Sequence, residues 1–123
     1  MTLKKLPYEL SVCKLSSLND FKFNLDFCFF AKTDEEFSLV CKTEDVPLCA
    51  AERDDGWRGF YFDETLEFSL IGILSKFSAV LAENKIGIFA VSTFNTDYIL
   101  VKSENFDRAV DVLKSNGYTF TED

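Results

Sequence analysis

The sequence predicts an α+β fold in which a βαββαβ unit of about 60 residues, the ferredoxin-like arrangement, occurs twice. Three observations support this prediction. The second half reads clearly as strand, helix, hairpin, helix and strand; the first half shows a weaker version of the same order; and apolar residues make up 47% of the chain, which is enough for a substantial core. We therefore expect two units, residues 1–55 and 56–123, packed as one compact body.

The first half follows this order with irregular patterning. By composition, residues 1–6 are a polar tail, whereas residues 8–15 alternate apolar and polar side chains as a strand does. Within residues 16–24 the apolar side chains recur at three- and four-residue spacing. This spacing favours a short helix, with Ser16 or Ser17 as its cap.

A hairpin and a polar stretch complete the first half. Residues 26–32 and 37–41 are apolar enough for two buried strands, and a polar turn separates them. Residues 42–56 are mostly polar, and Pro47 suits the first position of a single helical turn. The first unit then lacks an evident last strand, which it would have to borrow from elsewhere in the chain.

The second half is patterned more clearly. Residues 57–62 read as a strand, and the apolar helix that follows has Ser69 as its natural cap. Residues 86–94 and 96–102 predict a hairpin with Asn95 in the turn, because an asparagine side chain tolerates a left-handed backbone.

A second helix and a short strand close the chain. The helix should begin at Ser103, because Phe106 and the apolar residues that follow it then share one face. Asn116 and Gly117 are typical helix-stop residues, and residues 118–121 form the last strand.

Charge and hydropathy exclude several kinds of partner. The chain carries 21 acidic and 13 basic residues, a net charge of −8, which argues against nucleic acid and against an anionic membrane surface. No apolar run approaches the roughly 20 residues that a bilayer requires, and the first residues do not resemble a secretion signal. We expect a cytoplasmic protein.

Cysteine and histidine usage also limits the chemistry. The four cysteines form no CxxC pair, so we expect reduced, buried thiols rather than a metal site or disulfides. Histidine is absent, which removes the commonest general base and metal ligand. The acidic residues of 52–55 and 63–67 lack a calcium-loop spacing and fit a solvated face. The sequence therefore predicts no catalytic residue, no metal and no cofactor.

Gly72 is the first candidate functional residue. A glycine in the first turn of a helix costs about 1 kcal/mol relative to alanine, so it implies a compensating need. One need is close packing of backbones. The other is close approach of a ligand carboxylate to the free N–H groups of the helix N-terminus. The sequence leaves both open.

The tip of the predicted hairpin is the second candidate. Its polar residues, Thr93, Asn95, Thr96 and Asp97, are consistent with ordinary turn chemistry. They are also consistent with a ligand site, in which Asp97 would hold an ammonium group while Thr93 and Asn95 supply neutral hydrogen bonds. Together with the helix N-terminus, this tip would recognise both ends of a free amino acid.

Several stretches give these residues a family resemblance. They are Val46-Pro47, Gly56-Trp57-Arg58, the segment from Leu66 to Leu74, and the segment from Ile88 to Val101 with its Ser-Thr-Phe-Asn-Thr-Asp-Tyr core. Over roughly residues 39–117 the chain resembles the small tandem ACT-domain proteins, which are related in this signature to the ACT modules of CASTOR-type cytosolic arginine sensors.

The resemblance implies a ferredoxin-like ACT fold used twice, with the C-terminal strand exchanged between units and an amino-acid site in the cleft between them. It implies ligand contacts from the strand-to-helix loop and from the hairpin. The residues that match those contacts are Phe68, Ser69, Leu70, Ile71, Gly72, Thr93, Asn95, Thr96 and Asp97. Ile71 departs from the family pattern, because many relatives have threonine there.

These lines lead to a functional prediction with one alternative. We expect a non-catalytic, cytoplasmic regulatory protein that senses a small molecule, an amino acid by the resemblance, and that signals through a homo-oligomer or a protein partner. The alternative is an interaction or assembly module whose pocket is vestigial. An enzyme would need carboxylate or cysteine chemistry without histidine, and ranks last.

Overall fold

The computed structural model of this 123-residue chain describes residues 1–19, 21–63 and 72–121. In chain order the strands and α-helices are β1 (Thr2–Lys5), β2 (Leu10–Leu15), β3 (Cys28–Lys32), β4 (Phe37–Lys42), β5 (Ala50–Phe62), α1 (Ile73–Glu83), β6 (Phe89–Ser92), β7 (Asp97–Lys102), α2 (Phe106–Ser115) and β8 (Thr119–Thr121). Short 3₁₀ helices, Thr43–Asp45 and Ser103–Asn105, follow β4 and β7. The predicted α+β fold class is confirmed. No helix in the described ranges is long and apolar enough to cross a membrane.

The chain divides into two compact units. One, the N-unit, consists of Tyr8–Trp57; the other, the C-unit, consists of Met1–Pro7 together with Arg58–Asp123. Strand β5 accordingly belongs to the N-unit up to Trp57 and to the C-unit from Arg58 onward. The interpretation of the two units as a tandem duplication stays a prediction.

The N-unit is an antiparallel sheet in the order β3-β4-β2-β5. Its core contains Leu15, Phe21, Leu39 and Cys41. The described residues of 16–24 contain no helix, so the short helix predicted there is wrong. Instead, both the N–H and the hydroxyl of Ser16 donate to the carbonyl of Cys49, and this ties the chain directly after β2 into an irregular path.

The last strand of the N-unit is the first part of β5, which pairs antiparallel with β2. The single helical turn predicted at Pro47 is present only as one hydrogen-bonded turn, in which the N–H of Ala50 donates to the carbonyl of Pro47 at 3.2 Å, and a strand begins at Ala50. The sequence pattern did not indicate this strand, because its residues are mostly polar. The buried hydroxyl of Ser11 donates to Asp55 at 2.6 Å, and Arg53 pairs with the same carboxylate at 3.0 Å.

The C-unit sheet has the order β8-β1-β5-β7-β6. Strand β1 lies antiparallel to β5 and parallel to β8. Residues 1–6 are therefore not a polar tail, because Leu3 is 0% exposed and belongs to the core. Strand β8 pairs with β1 of its own unit, so the expected exchange of the C-terminal strand into the first unit is not found; the missing strand is β5.

Two helices, α1 and α2, pack on this sheet among the described residues. The second helix ends as predicted, because Gly117 adopts φ +91° directly after it. The predicted hairpin is confirmed as β6 and β7, with Phe89 opposite Leu100 and Ser92 opposite Asp97. The helix predicted before it begins at Ile73 in the structure.

Gly59 marks the closest packing of β5. A Cβ atom there would lie 2.6 Å from Cδ2 of Leu100, 3.1 Å from the carbonyl oxygen of Ile99 and 3.2 Å from Leu6. Because the backbone oxygen cannot move aside cheaply, we expect Gly59→Ala to lower the free energy of unfolding by about 1–3 kcal/mol.

Chemical denaturation would measure this effect, with Gly87→Ala as the matched control. A Cβ at Gly87 meets nothing within 4 Å, so the control should stay within about 0.5 kcal/mol of the wild type. Equal stabilities for the two variants would show that β5 and β7 do not approach as described.

Candidate functional site

Two threonine hydroxyls at the hairpin tip donate hydrogen bonds to backbone carbonyls. Thr93 donates both its N–H and its hydroxyl to the carbonyl of Thr96, each at 2.8 Å. The buried hydroxyl of Thr96 donates to the carbonyl of Phe62 at 3.2 Å and so attaches the tip to the end of β5. Asn95 is exposed, and Asp97 is half-buried.

Gly72 precedes α1 rather than lying in its first turn, which corrects the sequence prediction. Its backbone is left-handed, with φ +82° and ψ +4°, and its carbonyl accepts the N–H of Lys76 at 2.8 Å. A Cβ added there would meet nothing within 4 Å. Glycine is therefore required by the backbone conformation, and not by close packing.

A cleft of about 280 Å³ opens at this helix start, within the C-unit. It lies between the first turn of α1 and the segment that joins α2 to β8. The described residues that line it are Met1, Gly72, Ile73, Lys76, Asn116, Gly117 and Tyr118. Every one of them belongs to the C-unit.

The polar groups of the cleft favour an anion. Lys76 contributes a cation on an exposed side chain, and the start of α1 contributes a partial positive charge. The side-chain amide of Asn116 is already engaged, since it donates to the carbonyl of Val112 at 2.8 Å. Burial raises the pKa of Tyr118, so its phenol stays protonated and neutral at physiological pH.

The four cysteines belong to the N-unit and lie in or against its core. All four are free thiols; Cys13, Cys41 and Cys49 are buried as predicted, whereas Cys28 is half-buried. A hydrogen bond between Cys13 and Cys41 lowers the pKa of Cys13 and, together with burial, raises that of Cys41 far above its usual range. Across the described residues, no group of three or more His, Cys, Asp or Glu side chains could hold a metal ion.

The structure brings together only some of the predicted site residues. Gly72 lines the cleft, whereas Thr93, Asn95, Thr96 and Asp97 are not among its lining residues. Phe68, Ser69, Leu70 and Ile71 lie outside the described residues.

Lys76 is not among the site residues predicted from the sequence. Its position one turn after Gly72 was the signal that could have identified it. Asn116 and Tyr118 approach Gly72 only through the fold, and no local pattern indicates this.

Comparison with known proteins agrees with the fold. Residues 52–115 match the model of the ACT domain family. No curated protein matches the sequence. Among solved structures, the chain is similar to protein Atu0741 from Agobacterium tumefaciens, with 32% identity, a TM-score of 0.84 and coverage of 98% of this chain and 91% of that chain.

Two more distant structures share the fold. E. coli aspartokinase III, in complex with aspartate and ADP, is 16% identical with a TM-score of 0.63, over 94% of this chain and 32% of that chain. The regulatory subunit of aspartate kinase from Thermus thermophilus, in its ligand-free form, is 7% identical with a TM-score of 0.62, over 92% and 95% of the two chains. These similarities confirm the ferredoxin-like fold.

Proposed function

Because the chain belongs to the ACT domain family, we propose that it is a non-catalytic regulatory protein that binds a free amino acid. The observation that carries this proposal is the cleft at the start of α1, where Gly72 brings no capping side chain to the helix N-terminus and Lys76 stands one turn away. A ligand α-carboxylate fits this combination of N–H donors and a cation.

Two further points support an amino acid. The cleft volume of about 280 Å³ suits a small metabolite, since drug-sized ligands occupy roughly 300–1,000 Å³. Among the structural neighbours, aspartokinase III is described in complex with aspartate. Asp97, the predicted partner of the ligand ammonium group, is not among the residues that line the cleft, so its role is proposed separately and is tested by its own variant. We also propose the tandem arrangement of two ACT units, the relation to CASTOR-type sensors and a cytosolic location.

An assembly module with a vestigial pocket remains the second candidate. The hydrogen bonds of Thr93 and Thr96 favour it, because hydroxyls that already donate to backbone carbonyls are not available to a ligand without rearrangement. In that case the cleft would stay empty at every amino-acid concentration.

A thermal-shift screen against the twenty L-amino acids separates the two candidates. A ligand at about 100 times its dissociation constant should stabilise the protein by roughly 2.7 kcal/mol, which is an easily measured increase in melting temperature. No shift with any of the twenty would reject the amino-acid proposal and favour the assembly module.

Variants then locate the site. Lys76→Ala should weaken binding roughly tenfold or more by removing a charge-assisted hydrogen bond. If Asp97 holds the ligand ammonium group from the hairpin, Asp97→Ala should abolish binding. Lys14→Ala, which removes an exposed cation from β2 of the N-unit, is the control and should bind like the wild type. Unchanged binding in Lys76→Ala would exclude the cleft, and unchanged binding in Asp97→Ala would exclude the predicted role of Asp97.

A further inference from the structure

Three of the four cysteines lie on neighbouring strands of the N-unit sheet. Cys28 is on β3, Cys41 on β4 and Cys13 on β2, and β4 lies between the other two strands. Cys28 is directly opposite Cys41, and residues that are directly opposite point to the same face of a sheet. All three side chains belong to the N-unit core or pack against it. The N-unit therefore places three free thiols next to one another.

Cys28 and Cys41 have the backbone spacing that a disulfide needs. At the end of their hairpin the N–H of Thr33 donates to the carbonyl of Glu36 at 3.0 Å, and hydrogen-bonded and non-hydrogen-bonded pairs alternate along antiparallel strands. In the observed register this alternation makes Cys28 and Cys41 a non-hydrogen-bonded pair. The Cα atoms of such a pair lie about 4.5 Å apart, and disulfides usually span Cα separations of roughly 4.4–6.8 Å.

Cys13 is a less suitable partner for Cys41. It is opposite Leu39, whereas Cys41 is opposite Ser11, so the two cysteines are diagonal neighbours. Diagonal residues lie about 7–8 Å apart, which is longer than the usual span of a disulfide. The two thiols share a hydrogen bond, but a covalent bond between them would require the strands to shift.

Exposure to solvent favours Cys28 as the first thiol to be oxidised. Cys28 is half-buried, whereas Cys13 is 3% exposed and Cys41 is 0% exposed. Burial also raises the pKa of Cys28, so only a small share of it is the reactive thiolate at neutral pH. Oxidation should therefore begin at Cys28 and should require an oxidant at millimolar concentration.

We propose that Cys28 and Cys41 form a reversible disulfide when the chain meets hydrogen peroxide. In the first step the Cys28 thiolate attacks a peroxide oxygen and the O–O bond breaks. Cys28 is oxidised to a sulfenic acid, and the hydroxide that leaves takes up the thiol proton as water. In the second step Sγ of Cys41 attacks Sγ of Cys28 and the S–O bond breaks. The departing hydroxide takes the proton of Cys41 and forms a second water.

The product links β3 to β4 by a covalent bond. Within the described ranges β4 is the one strand that pairs with β3, so the disulfide reinforces a single existing contact. A dithiol reductant reverses the link by exchange. The proposal is independent of any ligand in the C-unit.

Mass spectrometry of the full chain after treatment with hydrogen peroxide tests the proposal. The wild type should lose two hydrogens from its intact mass, as one intramolecular disulfide requires. Peptide mapping without reductant should join the peptides that contain Cys28 and Cys41, and dithiothreitol should restore the reduced mass. Cys28→Ser and Cys41→Ser should each prevent the loss of the two hydrogens.

Cys49→Ser is the matched control, because it removes a buried thiol of the same core that lies outside the strands. It should form the disulfide like the wild type, and thermal unfolding should show which variants remain folded. A wild type that keeps its reduced mass, gains oxygen without the link, or joins Cys13 to Cys41 would overturn the proposal. Loss of two hydrogens in folded Cys28→Ser, or no loss in folded Cys49→Ser, would overturn it equally.

Discussion

Replacing Phe77 by alanine should lower the free energy of unfolding by about 3–5 kcal/mol, the largest effect that we expect from one substitution. Phe77 lies on α1 and is fully buried. Its ring makes edge-on contacts with Phe60 at 6.0 Å, Phe62 at 5.3 Å and Tyr118 at 5.3 Å. The substitution therefore opens a cavity where α1 meets β5 and the start of β8.

Urea denaturation would measure the loss, and Phe94→Ala is the matched control. Phe94 is 82% exposed at the hairpin tip, so the same deletion there should cost within about 0.5 kcal/mol. A loss below 1 kcal/mol for Phe77→Ala would mean that α1 does not pack on the sheet as described. Tyr118 also lines the cleft, so this variant should weaken the binding of any ligand that contacts that ring.

The second large effect concerns the N-terminal strand. Leu3→Ala should lower the free energy of unfolding by about 2–5 kcal/mol, because Leu3 is fully buried in the C-unit core, opposite Phe62 of β5 and beside Phe120 of β8. A residue in a solvated tail would show almost no effect. The experiment thus distinguishes an inserted strand from the polar tail that the sequence predicts.

Leu48→Ala is the control for this prediction, because Leu48 is 96% exposed and its truncation removes almost no buried surface. Hydrogen exchange at individual amides provides a second, independent measurement. The Leu3 amide should exchange slowly in the wild type, as expected for a strand between two others. Rapid exchange there, or equal stabilities of the two variants, would contradict the placement of β1 inside the sheet.

Elements with strong periodicity could be predicted from the sequence. The β6–β7 hairpin has one apolar run on each side of the polar residues around Asn95, and α2 repeats an apolar face and ends before Gly117. In these segments the local conformational preference of the residues agrees with their tertiary environment, so the sequence pattern is enough to predict the element.

The predictions from the sequence that are wrong have identifiable physical causes. Strand β1 is only four residues long and has one fully buried residue, Leu3, among polar neighbours, which is too little for a period to appear. The N-unit part of β5 is polar because its carboxylates and Arg53 form hydrogen bonds at the surface and with buried Ser11. The apolar residues of 16–24 have helical spacing but pack as irregular chain, a case in which tertiary contacts override local propensity.

The candidate site could be predicted from the sequence only in part. Gly72 stands out locally, because a glycine at a helix start needs a cause, and its φ of +82° supplies one. The cleft beside it needs residues from α1 and from the segment after α2, which are more than 40 positions apart in the chain. Only the fold brings them together, so no spacing rule could have selected Asn116 or Tyr118.

The central claim, that a free amino acid binds at the start of α1, is tested most directly by amide chemical-shift mapping. Uniformly ¹⁵N-labelled protein would be titrated with each of the twenty L-amino acids. At least one of them should shift the amides of Gly72 and Ile73 in a saturable manner, with smaller changes at Gly117 and none in β3. Saturable shifts confined to the N-unit, or no shifts with any amino acid, would contradict it.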